Sequence, residues 1–181
     1  MKRTFVFIDG SNFYFKLRDL ISKLGGNFSL LNFDFRKFSE WLVQPNQLLE
    51  IHYYIGAVKM RANNQKSKVL YANQQKLFRK LQKQKVSIVL GQLIQHPDKS
   101  YHEKGVDVRL AVEMIRFARL NKYDQAYLVS SDTDLLPAIE EVQSFGKIVQ
   151  YVGIPKGQSF GLSKVADDVR LIRPEEVEKF F

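Results

Sequence analysis

Two aspartates separated by one residue follow a short apolar run in the second half of the chain. In the stretch LVSSDTDLLP, residues 128–137, Asp132 and Asp134 stand beside two serines and a threonine. These acids could cap the helix that the next residues predict, or could hold a divalent metal ion. The first of them could also attack a phosphoryl group as a nucleophile. The stretch alone leaves all three interpretations open.

The elements that must position these acids alternate along the chain. Short β-branched or aromatic runs predict strands, and amphipathic patterns between them predict helices. The predicted strands are Thr4–Ile8, Ile51–Val58, Val86–Ile94, Ala126–Ser130, Ile148–Val152 and Val169–Ile172. The predicted helices cover roughly 11–23, 34–43, 66–84, 106–120, 134–145 and 158–166.

A strand followed by a helix, repeated, is typical of an α/β fold. We expect a three-layer architecture with a central, mainly parallel sheet and helices on both faces, joined by right-handed crossovers. No internal repeat or linker-like segment interrupts residues 1–181, so we expect a single domain.

This architecture converts sequence order into geometry, because ligands of open α/β sheets bind at the carboxyl ends of the strands. Asp9 follows the first strand, and Asp107 opens the helix after the third. With Asp132 and Asp134 after the fourth strand, four acids should gather at this edge. Three other aspartates precede strands and should lie at the opposite edge, namely Asp124, Asp167 and Asp168.

Each acid at the predicted edge has a structural alternative. Asp9 could order its turn, Asp107 could lie in the first turn of its helix, and Asp134 could be an N-cap. Together they are harder to explain in this way, because two carboxylates about 4 Å apart repel by roughly 4 kcal/mol. A helix N-terminus offsets only about 0.3–1 kcal/mol per acid. A counterion is therefore expected, and an all-oxygen ligand set favours Mg²⁺ or Mn²⁺.

The positive charge of the chain is concentrated in one segment. The net charge is +9, and residues 51–97 contain nine Lys or Arg and no Asp or Glu. Such a segment suggests a polyanionic partner, although a solvated basic helix face has the same composition. Because Lys59, Arg61, Lys66 and Lys68 follow the second strand, we expect them beside the acids. Acids that hold a metal ion within a rim of cations would suit phosphodiester hydrolysis.

Three motifs in order resemble the NYN branch of the PIN-like nuclease superfamily. They are FIDGSNFY at 7–14, KGVDVRLAVEM at 104–114 and YLVSSDTDLLPAIEEVQSFGKIVQYVG at 127–153. The resemblance implies a PIN-like, Rossmann-like fold and Mg²⁺- or Mn²⁺-dependent cleavage of RNA or of another single-stranded nucleic acid. The acidic site that it implies consists of Asp9, Asp107, Asp132 and Asp134.

Other residues complete the predicted site. Asn12 matches the asparagine of the first motif and would orient a water or a phosphate, or would tie the Asp9 loop by its amide. Lys104 and Lys156 would add contacts to phosphate. Ser131 stands where the family motif often has glycine. The tyrosines at 53, 54 and 71 could stack on bases, but aromatic residues alternating in a strand are more typical of a core.

Two other functions compete with the ribonuclease. A non-catalytic RNA-binding or adaptor module would need only the basic segment. A haloacid-dehalogenase-like phosphatase would use Asp132 as nucleophile and Asp134 as acid/base. In that class, however, the acidic motif normally follows the first strand, and here most of the chain precedes it.

Composition limits the remaining possibilities. The chain has no cysteine and three histidines, which argues against a zinc site and against disulfides. No signal peptide or membrane span is apparent, so we expect a cytoplasmic protein without a membrane partner. The C-terminal PEEVEKFF should form a short helix whose phenylalanines pack on the same chain or on a second copy, which would give a homodimer.

Overall fold

The computed structural model describes residues 1–22, 29–60, 64–95 and 101–181, and of residues 92–95 and 101–104 it describes the backbone alone. The strands are β1 (Arg3–Asp9), β2 (Gln47–Ile55), β3 (Ser87–Leu90), β4 (Gln92–Gln95), β5 (Tyr101–Lys104), β6 (Gln125–Val129), β7 (Ile148–Gly153) and β8 (Asp168–Leu171). The helices are α1 (Gly10–Ser22), α2 (Phe35–Val43), α3 (Gln65–Lys83), α4 (Val106–Arg119), α5 (Leu136–Ser144), α6 (Phe160–Val165) and α7 (Pro174–Val177). Short 3₁₀ helices cover Thr133–Leu135 and Glu178–Phe180.

Six strands form one sheet in the order β3-β2-β1-β6-β7-β8. Every pair of neighbours in it runs parallel, which confirms the predicted α/β fold. The chain first builds outward from β1 to β3 and then returns to start the other half at β6. The strand order therefore reverses between β1 and β6, and ligands of doubly wound sheets bind at such a switch point.

The predicted strand Val86–Ile94 is wrong in its extent. It divides into β3 at the edge of the sheet and β4, which pairs antiparallel with β5 in a separate hairpin. Gly91 separates the two strands, and its backbone N–H still donates to the carbonyl of Ile55 in β2. A glycine inside an apolar run often marks such a break.

The hydrophobic core lies on both faces of the sheet, as alternation in a buried strand requires. In β1, Val6 and Ile8 pack with α1, α2 and α3, whereas Phe5 and Phe7 pack with α4 and α5 on the other face. This confirms the helix layers predicted on both faces. Among the described helices, none combines the length and the apolar character needed to cross a membrane.

The C-terminus packs on its own chain. Phe180 is buried against Phe38 and Trp41 of α2, with ring centroids 5.5 and 5.4 Å away. The Arg170 guanidinium lies 4.1 Å from the Trp41 ring centroid, and the Lys179 ammonium lies 4.5 Å from it. Of the two alternatives that the sequence left open, Phe180 therefore follows packing on its own chain.

Candidate metal and nucleic-acid site

The first acid lies at the end of β1, next to the switch point. Asp9 follows Phe5 and Phe7 in the strand alternation, so it points to the face that α4 covers. Helix α1 begins at once with Gly10, where a Cβ atom would lie 2.5 Å from Tyr53 Cε1 and 2.7 Å from the carbonyl oxygen of Tyr54. Glycine thus allows α1 to start directly against β2, which fixes the position of Asp9.

Hydrogen bonds hold the Asp9 carboxylate in place. Its Oδ1 accepts from the backbone N–H of Asn12, and its Oδ2 accepts from the hydroxyl of Ser130, both at 3.1 Å. Burial raises the pKa of Asp9, the bonds from Asn12 and Ser130 lower it, and the nearby charge of Asp132 raises it. The net shift is upward. Asp9 is therefore partly desolvated and within the electrostatic field of a second acid.

The loop after β6 presents the DTD motif. The backbone N–H of Asp132 donates to Ser130 Oγ at 3.1 Å, and Asp132 Oδ1 accepts from the N–H of Asp134 at 3.0 Å. Asp132 is thus the N-cap of the 3₁₀ helix Thr133–Leu135, which precedes α5. The suggestion that Asp134 is the N-cap of the following helix is wrong, because Asp134 lies inside the 3₁₀ helix and the N-cap of α5 is Leu135. The side chain of Asp134 is left exposed.

The fourth acid comes from the start of α4. Asp107 lies in the first turn of that helix, as its sequence position predicts. Gly105, the residue before the first residue of α4, is the N-cap and has φ of 79°, a left-handed conformation that suits glycine. A glycine at this turn therefore lets α4 begin where its first acid faces the loops after β1 and β6.

Three of the acids converge. Carboxylate oxygens of Asp107, Asp132 and Asp134 all lie within 4.8 Å of one another. Two opposite ligands of one Mg²⁺ ion are about 4.2 Å apart, since each Mg–O distance is about 2.1 Å. Adjacent ligands are only about 3.0 Å apart, so the oxygens would move closer together by up to about 2 Å on binding an ion. The residues present therefore fit a hard divalent cation.

Asp9 is outside this three-membered group but adjoins it. Asp9 and Asp107 line the same open cavity of about 550 Å³, together with Ser11 and Gly56. Asp107 thus belongs both to the three-acid cluster and to the cavity that Asp9 lines. The four predicted acids lie at one edge of the sheet, and three of them form the group within 4.8 Å.

The side chain of Asn12 joins two loops. Its Oδ1 accepts from the backbone N–H of Ser131 at 3.2 Å, while its own backbone N–H holds Asp9. The amide oxygen therefore ties the loop after β6, whereas the sequence had suggested the Asp9 loop. The hydroxyl of Ser131 lies 3.5 Å from that of Tyr151, at the limit of a hydrogen bond.

The three aspartates that the sequence places before strands lie at the other end of the strands. Asp124 precedes β6 and forms an ion pair of 2.7 Å with Arg3 at the start of β1. Asp167 precedes β8 and accepts from the backbone N–H of Val149 at 2.8 Å. Asp168 is the first residue of β8 and is exposed. Their positions agree with the opposite edge that their sequence order indicates.

The structure describes the side chains of four of the six basic residues predicted to bind nucleic acid. Lys59 follows β2 and is half-buried, and desolvation lowers its pKa. Lys66 and Lys68 lie exposed in the first turn of α3, and Lys156 is exposed in the loop after β7. Arg61 lies outside the described residues, and so does the side chain of Lys104. The four described lysines therefore follow carboxyl ends of strands, as the acids do.

The tyrosines near the basic segment are mostly structural. Tyr53 and Tyr54 are fully buried in the two cores, which confirms that their alternation in β2 reflects packing. Tyr71 is exposed on α3.

Sequence reasoning missed the role of Ser130. This residue is 3% exposed. Its hydroxyl accepts a hydrogen bond from the backbone N–H of Asp132 and donates one to the Asp9 carboxylate. It thereby joins the acid at the end of β1 to the acidic loop after β6. The only available signal was a serine directly before the DTD loop, at the end of an apolar strand, where a buried polar group needs partners.

The parallel sheet, its switch point and the acidic cluster define the chain as an α/β protein with a candidate cation site at the carboxyl edge of its sheet. The family model of the NYN domain matches residues 3–173, so the chain belongs to the NYN domain family. Members of this family are typically nucleases. Membership therefore supports a hydrolase that binds nucleic acid.

A solved structure has a similar fold. It is the crystal structure of a protein of unknown function from Vibrio parahaemolyticus, with a TM-score of 0.69 and 23% sequence identity. The alignment covers 94% of this chain and 93% of that one. At this identity the likeness shows the fold alone. No curated protein matches the chain significantly.

Proposed function

We propose that this protein is a ribonuclease that hydrolyses RNA phosphodiester bonds with Mg²⁺ or Mn²⁺ bound at the carboxyl edge of its sheet. The observation that carries the proposal is the convergence of Asp107 from α4 with Asp132 and Asp134 from the loop after β6, within 4.8 Å of one another. Like charges collected this closely need a counterion. Their place beside the topological switch point is where α/β proteins bind their ligands.

The three converging acids would hold the ion. When bound, the cation would supply Lewis acidity toward water and phosphate and would offset the charge of the acids. Asp132 would present one oxygen to it while the other caps the 3₁₀ helix, so the loop is held in a single arrangement. Asp107 and Asp134 would complete the set from the start of α4 and from the 3₁₀ helix.

Asp9 would act next to this set. Its two hydrogen bonds leave further lone pairs on both oxygens, since a carboxylate has about four acceptor positions. Those positions would serve as a fourth ligand or would orient a water within the cavity that Asp9 shares with Asp107. Asn12 would keep the loops of Asp9 and Ser131 together, and its amide nitrogen would be directed to water or phosphate.

The lysines would bind the RNA backbone. Lys59, Lys66 and Lys68 follow β2 and flank the acidic edge on one side, and Lys156 follows β7 on the other. Cations on both sides of an acidic centre would draw a polyanion across it. We extend the same role to Arg61 and Lys104 from their sequence positions.

The phosphatase interpretation has less support. Asp132 and Asp134 follow β6, the fourth strand of the main sheet along the chain, and both adjoin a third acid, Asp107. In the haloacid-dehalogenase class the acidic motif normally follows the first strand, so its position after β6 argues against a phosphatase. An RNA-binding module without turnover would use the same lysines but would not need the acids.

Cleavage of labelled RNA tests the proposal. We expect the purified protein to cut single-stranded RNA with Mn²⁺ or Mg²⁺ and not with EDTA, and Asp132→Asn to abolish cutting. Asparagine is an equally good N-cap, so this change removes the charge while leaving the 3₁₀ helix capped. RNA binding by the variant should persist.

Asp168→Asn is the matched control, because it removes an exposed carboxylate at the opposite edge of the sheet. It should leave cleavage unchanged. Absence of metal-stimulated cleavage over varied RNAs would refute the ribonuclease and favour the binding module. Turnover of small phosphomonoesters instead would favour the phosphatase.

A further inference from the structure

A second cavity adjoins the acidic edge and has different chemistry. It has a volume of about 580 Å³, lies between α1 and α3, and shares Ser11 with the cavity of the acids. Its floor is formed by buried or partly buried apolar side chains of β2 and α3, including Tyr53, Ile55 and Leu77. One cavity thus offers carboxylates, and the neighbouring one offers an apolar interior.

The rim of the second cavity is unusually apolar for a surface. Phe15 is 53% exposed and Leu70 is 48% exposed, and both line the opening from opposite helices. The ring of Tyr14 lies edge-on to that of Phe15 at 5.3 Å, and the Arg18 guanidinium carbon lies 5.1 Å from the Phe15 centroid. Exposed apolar side chains grouped around a cavity commonly mark a binding site.

Polar groups in the same cavity suit a flat heterocycle. Asn73 lines it from the exposed side of α3, and its amide carries both donors and an acceptor. The neighbouring amide of Gln74 is occupied within the protein, since its Nε2 donates to the Gly56 carbonyl and its Oε1 accepts from Val58 N–H. Asn73 is therefore the amide on this wall placed to recognise the edge of a ligand.

The residues that line the cavity are uncharged, and the charge that selects among apolar occupants belongs to helix α3. Helix α3, which forms one wall, contains Lys66, Lys68, Lys76, Lys80 and Lys83 along with Arg79, and no acid. An uncharged acyl chain or an apolar peptide would gain nothing from these cations. A nucleobase attached to a phosphate backbone would use both the apolar cavity and the charge.

We propose that the cavity between α1 and α3 is a nucleobase subsite that receives one unpaired base of the RNA, next to the phosphate at the acidic centre. This proposal rests on the proposed function and adds a specificity element to it. Phe15 would stack on the base and Asn73 would contact its edge. Ser11, which both cavities share, and Phe15 are four residues apart in α1, so the stacking ring would lie about one helical turn, roughly 6 Å, from the cavity of the acids.

Binding without turnover tests the subsite. The probe is a short oligouridylate bound to Asp132→Asn protein in EDTA and followed by fluorescence anisotropy. Adding Phe15→Ala should weaken binding about 5-fold to 150-fold, which corresponds to the 1–3 kcal/mol typical of one base stacked on an aromatic ring. Binding of a blunt RNA duplex should not change, because its bases cannot enter the cavity.

Three controls separate stacking from other effects. Phe15→Trp should bind as the parent does, because it keeps an aromatic face. Phe145→Ala removes a partly exposed phenylalanine at the C-cap of α5, remote from both cavities, and should have no effect. An oligomer of the same length with abasic sugars should bind the parent as weakly as oligouridylate binds Phe15→Ala, and should show no further loss with that variant.

The outcomes are distinguishable from those of the proposed function. Equal weakening of single-stranded and duplex binding by Phe15→Ala, or abasic binding as tight as that of oligouridylate, would overturn the subsite even if the enzyme cleaves RNA. Base-dependent binding lost in Phe15→Ala would support the subsite even if no cleavage occurs. Asn73→Ala should reduce the difference in affinity among homopolymers of the four bases, and an unchanged preference would remove Asn73 from the proposal.

Discussion

The hydroxyl of Ser130 donates a hydrogen bond to Oδ2 of Asp9 across 3.1 Å and joins the ends of two neighbouring strands. The same hydroxyl accepts a hydrogen bond from the backbone N–H of Asp132. One buried oxygen therefore fixes the relative position of the first acid and the acidic loop. In the proposed mechanism this link is what keeps the acidic site assembled before any substrate binds.

Ser130→Ala should lower both stability and cleavage. It leaves the partly buried N–H of Asp132 without its acceptor and removes one donor from Asp9, so we expect a loss of about 1–3 kcal/mol in unfolding free energy. Urea denaturation measures the first effect, and the cleavage rate at saturating Mn²⁺ measures the second. Cleavage should fall more than the folded fraction does, because the acids lose their alignment.

Ser131→Ala is the matched control for this change. The Ser131 hydroxyl is 3.5 Å from that of Tyr151, so its removal should cost less than about 1 kcal/mol. Equal effects of the two substitutions would mean that the Ser130 link does not position the acids.

Gly10→Ala should destabilise the protein through crowding. The added Cβ would lie 2.5 Å from Tyr53 Cε1 and 2.7 Å from the Tyr54 carbonyl oxygen, so either α1 or β2 must move. We expect a loss of about 1–3 kcal/mol in denaturant unfolding, as for other overpacked sites. Gly161→Ala is the control, because the added Cβ would lie 3.3 Å from its nearest neighbour, Leu136 Cδ1. Alanine also favours a helix over glycine by about 1 kcal/mol. A tolerated Gly10→Ala would show that the start of α1 can shift freely.

The ion pair of Asp124 with Arg3 should make stability depend on pH. The hydrogen bond from Arg3 lowers the pKa of Asp124 from 3.8 to about 2. Because the folded-state pKa is the lower one, the pair stabilises the fold above pH 3.8 and loses its contribution as pH falls toward 2. Both side chains are more than a third exposed, so we expect less than about 1 kcal/mol.

Comparing the wild type with Asp124→Asn in urea isolates this contribution. The difference in unfolding free energy should be constant near neutral pH and should shrink as the pH approaches 2. A difference that does not vary with pH would mean that the ion pair does not stabilise the fold.

Most of the fold follows from sequence periodicity. The six strands of the sheet and the main helices are predictable because buried parallel strands appear as short apolar runs between amphipathic helices. The β4–β5 hairpin was missed because an apolar run across Gly91 does not show where the chain leaves the sheet. That depends on whether neighbouring β2 continues, and β2 ends at Ile55.

The site is predictable in part for a related reason. The edge of the sheet at which each acid lies follows from whether it comes before or after a strand, which separates Asp132 from Asp124. Which acids approach most closely does not follow, since it depends on the 3₁₀ helix that Asp132 caps and on the left-handed turn at Gly105. The cavity between α1 and α3 also depends on side chains that are distant in sequence, such as Phe15 and Leu70.

Asp134→Asn should have opposite effects on stability with and without metal. In EDTA the substitution removes one of three clustered charges, so the melting temperature should rise. Saturating Mn²⁺ should stabilise the wild type, by about 2.7 kcal/mol at a hundred times the dissociation constant, and should stabilise the variant much less. Differential scanning fluorimetry with and without EDTA measures both effects. Glu140→Gln removes one exposed charge on α5 and should change neither melting temperature. Equal stabilisation of wild type and Asp134→Asn by Mn²⁺ would place the ion elsewhere, and no rise in EDTA would show that the acids do not repel one another appreciably.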